Sequence, residues 1–187
     1  MSVDYVIQHA APTLAGIKTG NLFPCFFSSP QAMVRDLRAI NQVLVPRGLR
    51  LLPLRRDNTR VLLYLFRPAA LSRDLSRGEA RRLLRQAGYQ DLAQHACLRE
   101  LKRRLQAGGT FPHEIGLFLG YPLADVVGFM ENGGENCKYT GCWKVYSNVA
   151  EARQRFAQFK RCQSIYAVQF QRGKTLSQLT VPGFPPS

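Results

Sequence analysis

Apolar positions along the chain change their spacing several times, and each change marks an element. Residues 3–9 read as a short helix, ended by Pro12, Gly16 and Gly20. An aromatic run follows at 21–27, bounded by Gly20 and by Ser28, Ser29 and Pro30, which is the pattern of a strand. Pro24 inside that run places it at a sheet edge or a bulge, since proline has no N–H for a ladder. Pro30 then opens a helix whose apolar residues Met33, Val34, Leu37, Ile40 and Leu44 recur at helical spacing and which stops at Pro46-Arg47-Gly48. Two β runs, 49–54 and 60–66, flank an Asp57-Asn58 pair suited to a hairpin turn.

From 72 to 108 helix formers dominate, with breaks near Gly78 and at Gly88. On the last of these helices Leu92, Cys97, Leu98, Leu101 and Leu105 form an apolar stripe, and Arg99, Lys102, Arg103 and Arg104 lie away from it. Residues 114–130 then read as a helix-turn-helix-like αα-hairpin. Gly116 permits close packing, Gly120 makes the turn, and Ile115, Leu119, Val126 and Met130 face inward, with Thr110 as cap of the first helix and Pro122 opening the second. Residues 142–146 read as a fourth strand, after which Asn148 caps a helix running through Ala152, Phe156 and Phe159 toward Phe170, with Glu151 in its first turn. The pattern predicts one α/β or α+β domain over 1–187, built on a small mixed sheet of about four strands with packed helices and a frayed tail from 180 onward.

Composition adds a charge imbalance. The chain has 26 Lys+Arg against 12 Asp+Glu, a formal charge of +14, and 45% hydrophobic residues, enough for one real core in 187 residues. Such an excess attracts polyanions, and a solvated arginine-rich surface accounts for it equally well. Five irregularly placed cysteines do not form a disulfide framework. The N-terminus lacks the basic start of a secretory signal, and no apolar run approaches the ~20 residues of a membrane span, so a cytoplasmic protein is expected.

Against this basic background, 111–136 is an acidic island with Glu114, Asp125, Glu131 and Glu135 and no Lys or Arg. That argues against base reading by its second helix, because a groove lined with phosphates repels it. Cys137 and Cys142 have C-x4-C spacing, and with His113 they are the candidate metal ligands; turn or core cysteines are the alternative. His113-Glu114 is not a metalloprotease motif, since Leu117 stands where a second histidine is required. Cys25 as nucleophile with His113 as base remains open as a cysteine-dependent enzyme. Neither Gly173-Lys174-Thr175 nor the stretch from Gly16 to Gly20 is a Walker motif, yet a Gly-flanked Lys18-Thr19 ahead of a strand presents backbone N–H groups and a cation to an anion.

The segments APTLAGIKTGNLF, FPHEIGLFLGYPLADVVGFMENGGENC, GCWKVY and LSQLTV together resemble a family of uncharacterised bacterial proteins, common in anaerobes and described only as a domain of unknown function. The resemblance covers nearly the whole chain. In that family a cysteine often precedes the first Ala-Pro, where this chain has Ala10. The resemblance implies a link to iron or redox metabolism and no defined activity, cofactor or catalytic residue. The residues themselves favour a binding or accessory protein whose pocket gathers Lys18, Thr19, His113, Glu114, Asn136, Trp143 and Tyr146 from element ends, with Trp143 as a stacking wall and a small anionic ligand on Lys18. The alternative is nucleic-acid binding through the Arg-rich helices of 77–104.

Overall fold

The computed structural model describes residues 1–108 and 111–183. A three-stranded antiparallel sheet lies at the centre, made of β1 (Gly20–Phe26), β2 (Arg50–Asp57) and β3 (Arg60–Phe66) in the order β1-β3-β2. Both edge strands carry a proline, Pro24 in β1 and Pro53 in β2, where the missing N–H costs no ladder bond. The β2 register slips between Pro53 and Arg55. Asn58 supplies the left-handed residue of the tight β2–β3 turn, at φ 46°.

The middle strand β3 is apolar on both sides because both of its faces are covered. Val61, Leu63 and Leu65 join a core beneath α1 (Val3–Leu14) and α2 (Pro30–Leu44), together with Ile7, Leu14, Phe23, Ile40, Leu44 and Leu51. Tyr64 and Phe66 point the other way. They enter a second core with residues from α3 (Pro68–Ser76), α4 (Gly78–Gln86), α5 (Gln94–Ala107), α6 (Ile115–Phe118) and α7 (Leu123–Glu131). The long α8 (Val149–Gln171) is capped by the Asn148 side chain, which accepts from Glu151 N at 3.1 Å, and it packs along α1.

Several sequence expectations are corrected. Helix α1 does not stop before Pro12. It passes through it with a kink at Ala10 (φ −135°), because the proline ring crowds the preceding turn and gives no N–H. Residues 142–146 do not join the central sheet, which is purely antiparallel and not mixed. They contribute only β5 (Lys144–Val145), paired with β4 (Tyr139–Thr140) in a separate ribbon. The first helix of the expected αα-hairpin is a single turn, α6, and its predicted Thr110 cap lies outside the described residues. Val34, assigned to the buried stripe of α2, is 49% exposed.

The tail does not fray at 180. Thr180 is buried, Val181 N donates to Leu14 O at 3.0 Å and Gly183 N donates to Arg47 O at 2.8 Å; residues 184–187 lie outside the described part. Arg67 is what holds this closure. Its buried guanidinium donates to the carbonyls of Thr13, Leu14 and Val181, each at 2.7 Å, so it caps the end of α1 and clasps the tail at once. Positive charge at a helix C-terminus opposes the helix dipole, which favours this arrangement.

Candidate functional site

The loop after α1 brings Lys18 and Thr19 to the mouth of β1, where the α6–α7 turn meets them. Gly120 makes that meeting possible in two ways. Its φ is +75°, and a methyl group there would stand 2.6 Å from Thr19 Oγ1. The Thr19 hydroxyl donates to Asp74 at 2.5 Å, which ties the loop to α3.

Lys18 is only 8% exposed. Its amine donates to the Gly20 carbonyl and lies 4.7 Å from the centre of the Tyr121 ring, and no carboxylate among the described residues forms an ion pair with it. Burial therefore dominates and pushes the amine down to about 7, with only the Cys142 thiol acting in the opposite direction. The half-buried Tyr121 has its hydroxyl pushed up by desolvation and donates to the Cys142 carbonyl at 3.1 Å.

On the opposite side, Asp125 organises the wall. Its buried Oδ1 accepts from Tyr146 N, Ser147 N and Ser147 Oγ, each at 2.8 Å, which pins the chain that leads into α8 against the first turn of α7. A carboxylate with three donors is committed to structure. The charge contrast that the acidic island offered thus disappears inside the fold at this position.

Between these walls lies a cleft of about 650 Å³. Its sides are the α3–α4 junction (Asp74, Arg77, Ala80), the α6–α7 turn from Gly120 to Asp125, and the first turns of α8, where Glu151, Arg155, Phe156 and Phe159 face inward. Most of its charges answer one another: Arg77 pairs with Asp74 at 3.5 Å and Arg155 with Glu151 at 2.8 Å. Lys18 is the buried cation in the cleft without such a partner. The size falls in the ordinary range for small-molecule sites.

Of the residues proposed from sequence, Lys18 and Thr19 line this cleft. His113, Trp143 and Lys18 are linked, but in a row and not around a common space. His113 packs edge-on against Phe129 at 4.9 Å, Phe129 lies 5.1 Å from Trp143, Trp143 stacks on Tyr121 at 4.8 Å, and Tyr121 carries Lys18. Trp143 thus supports the cleft through Tyr121. Its indole N–H and the Tyr146 hydroxyl are buried without a hydrogen-bond partner among the described residues.

Glu114 turns away into the core, where it accepts from the Tyr89 hydroxyl at 2.9 Å and from Arg104 at 3.2 Å. Asn136 is exposed in a turn at φ 55°. Cys137 pairs with the Thr140 hydroxyl at 3.2 Å and Cys142 is exposed; among the described residues no three His, Cys, Asp or Glu side chains gather into a group able to hold a metal ion. Cys25 lies in the core beneath α1 and α2, with its thiol pushed up by burial, whereas His113 packs on Phe129 beyond the other face of the sheet.

The arginine-rich helices are partly neutralised from within. Glu100 binds Arg103 and Arg104, which holds its carboxyl down at about 2, and Arg104 also covers the Tyr89 ring at 4.4 Å. Sequence reasoning missed Asp74, Arg77, Glu151 and Arg155 as cleft residues. They come from α3, the α3–α4 junction and the first two turns of α8, and nothing local distinguishes them from a solvated face.

Among the described residues no helix is long and apolar enough to cross a membrane. No curated protein and no solved structure matches the chain. A family model described as protein of unknown function (DUF3793) matches residues 6–180, and with nearly the whole length covered the chain belongs to that family.

Proposed function

We propose that this protein binds a small organic molecule in the cleft between the Lys18 loop, the α6–α7 turn and the start of α8. The observation that supports this is the Lys18 amine: it is buried, it has no carboxylate partner among the described residues, and it borders a cavity of about 650 Å³. Burying an unpaired amine is costly, and a fold keeps such a group where a ligand meets it more readily than for stability alone. The paired charges of the walls, together with Phe156 and Phe159, offer a surface on which a polar molecule with an apolar part fits. A nucleic-acid role on the helices of 77–104 has less support, because Arg77, Arg103 and Arg104 are engaged with Asp74 and Glu100.

Amide NMR of the isotopically labelled chain, titrated with small carboxylic acids, amides and ketones, tests this reading. A fragment of about ten heavy atoms gaining roughly 0.3–0.4 kcal/mol per atom binds in the millimolar range, which such titrations detect. The shifts are expected to cluster on Lys18, Thr19, Gly120, Tyr121, Ser147 and Glu151. Perturbations that scatter over the surface, or that spare these amides throughout the set, contradict it.

A further inference from the structure

We propose that Lys18 is an amine nucleophile that forms an imine with an aldehyde or ketone group of the molecule held in the cleft. This deepens the binding reading and rests on it. The geometry has three parts. The Lys18 side chain is more than nine-tenths buried and borders the cleft. Of the acids lining the cleft, Asp74 is occupied by Thr19 and Arg77, Asp125 by three donors of the 146–147 segment and Glu151 by Arg155, and none of the four, Glu79 included, forms an ion pair with Lys18. The amine has only a carbonyl and an aromatic face as company. The carbonyl and the ring face both favour the protonated amine, but without a carboxylate beside it they do not offset the cost of burial.

A lysine amine lowered to about 7 is half neutral at neutral pH. An ordinary lysine at about 10.4 is neutral in fewer than one molecule in a thousand, so Lys18 carries about a thousandfold more free amine. Desolvated lysines are activated as nucleophiles in this way. The nitrogen lone pair forms a C–N bond to the carbonyl carbon, and the carbonyl π pair moves onto oxygen, leaving a C–O single bond. Proton transfer from nitrogen to that oxygen gives the carbinolamine. Loss of the hydroxyl with a further proton from nitrogen releases one water and leaves C=N. No oxidant or reductant is consumed.

The test is reductive alkylation of the full chain with propionaldehyde and cyanoborohydride at pH 7, with labelling at each of the six lysines read by peptide mass spectrometry. Cyanoborohydride supplies the hydride that fixes the imine as a secondary amine. Restricted access takes back part of the thousandfold advantage, and Lys18 is expected to label at least tenfold faster than the exposed Lys102, Lys160 and Lys174. Its rate is expected to level off above about pH 7. Ala124→Trp, at an exposed position on the cleft rim, is expected to slow Lys18 alone.

Labelling of Lys18 no faster than of the exposed lysines overturns the imine proposal, and cleft-centred fragment shifts would then leave the binding reading standing. Fast labelling that Ala124→Trp leaves unchanged contradicts entry through the cleft and takes the binding reading down with it.

Discussion

Replacing Lys18 by Met removes the titrating amine and keeps a side chain of similar length, so the pair isolates what burying that amine does to stability. The folded amine titrates near 7 and the unfolded one near about 10.4. Between those values the unfolded chain binds one proton more than the folded chain, so wild-type stability rises with pH through that window. The limiting slope is about 1.4 kcal/mol per pH unit. From pH 7, where the folded amine is half protonated, to pH 9, the gain is about 2 kcal/mol. Every other titrating group is common to both proteins and cancels in the difference. Urea unfolding of both chains at pH 7, 8 and 9 gives that difference directly. The wild type is expected to gain about 2 kcal/mol relative to Lys18→Met over this range. A difference that stays flat means the folded amine keeps its proton, and one that moves in favour of Met means a partner holds it charged; either refutes the reasoning.

Three further outcomes follow from the contacts around the site. Asp125→Ala strands the Tyr146 and Ser147 N–H groups and is expected to cost about 3–5 kcal/mol in urea unfolding, while Asp125→Asn, which keeps an acceptor, costs roughly half as much or less. Arg67→Met leaves the carbonyls of Thr13, Leu14 and Val181 without their donor; a loss of about 3 kcal/mol is expected, which lowers Tm by roughly 6–12 °C in a chain of this size. Tyr146→Phe removes a buried hydroxyl that has no partner among the described residues, so stability is expected to hold or rise by up to about 1 kcal/mol, and a loss of that size would reveal a partner.

The elements were legible where a local rule acts alone. Pro24 marked an edge strand, Asn148 marked the start of α8, and Asp57-Asn58 marked the β2–β3 turn, because each effect is contained within a few residues. The uninterrupted apolar run of β3 reads as a strand, but the two helical layers that make both its faces dry are not written in it. The misassigned strand at 142–146 shows the limit. Its aromatic and β-branched residues have strand character, yet Trp143 is spent on Tyr121 and Phe129, and Tyr146 lies over Gly128, where a methyl group would come within 2.5 Å of its ring.

The candidate site was legible in part for the same reason. Lys18 stood out through its flanking glycines, but as a cation for an anion. That its amine has no carboxylate depends on Asp74 being taken by Thr19 and Arg77 and on Asp125 being taken by the 146–147 segment, pairings that span up to 55 residues. Glu114 misled in the opposite sense. At an element end it reads as a site residue, whereas its partners Tyr89 and Arg104, 25 and 10 residues away, draw it into the core.

A desolvated amine without a carboxylate partner at the edge of the cleft is the central feature of this protein, and a titration of lysine side-chain carbons by NMR measures that property directly. With lysine labelled at Cε, the Lys18 signal is identified by its loss in Lys18→Met and followed from pH 5 to pH 11. Its midpoint is expected near 7. A Lys18 midpoint at the ordinary value of about 10.4 would contradict the account.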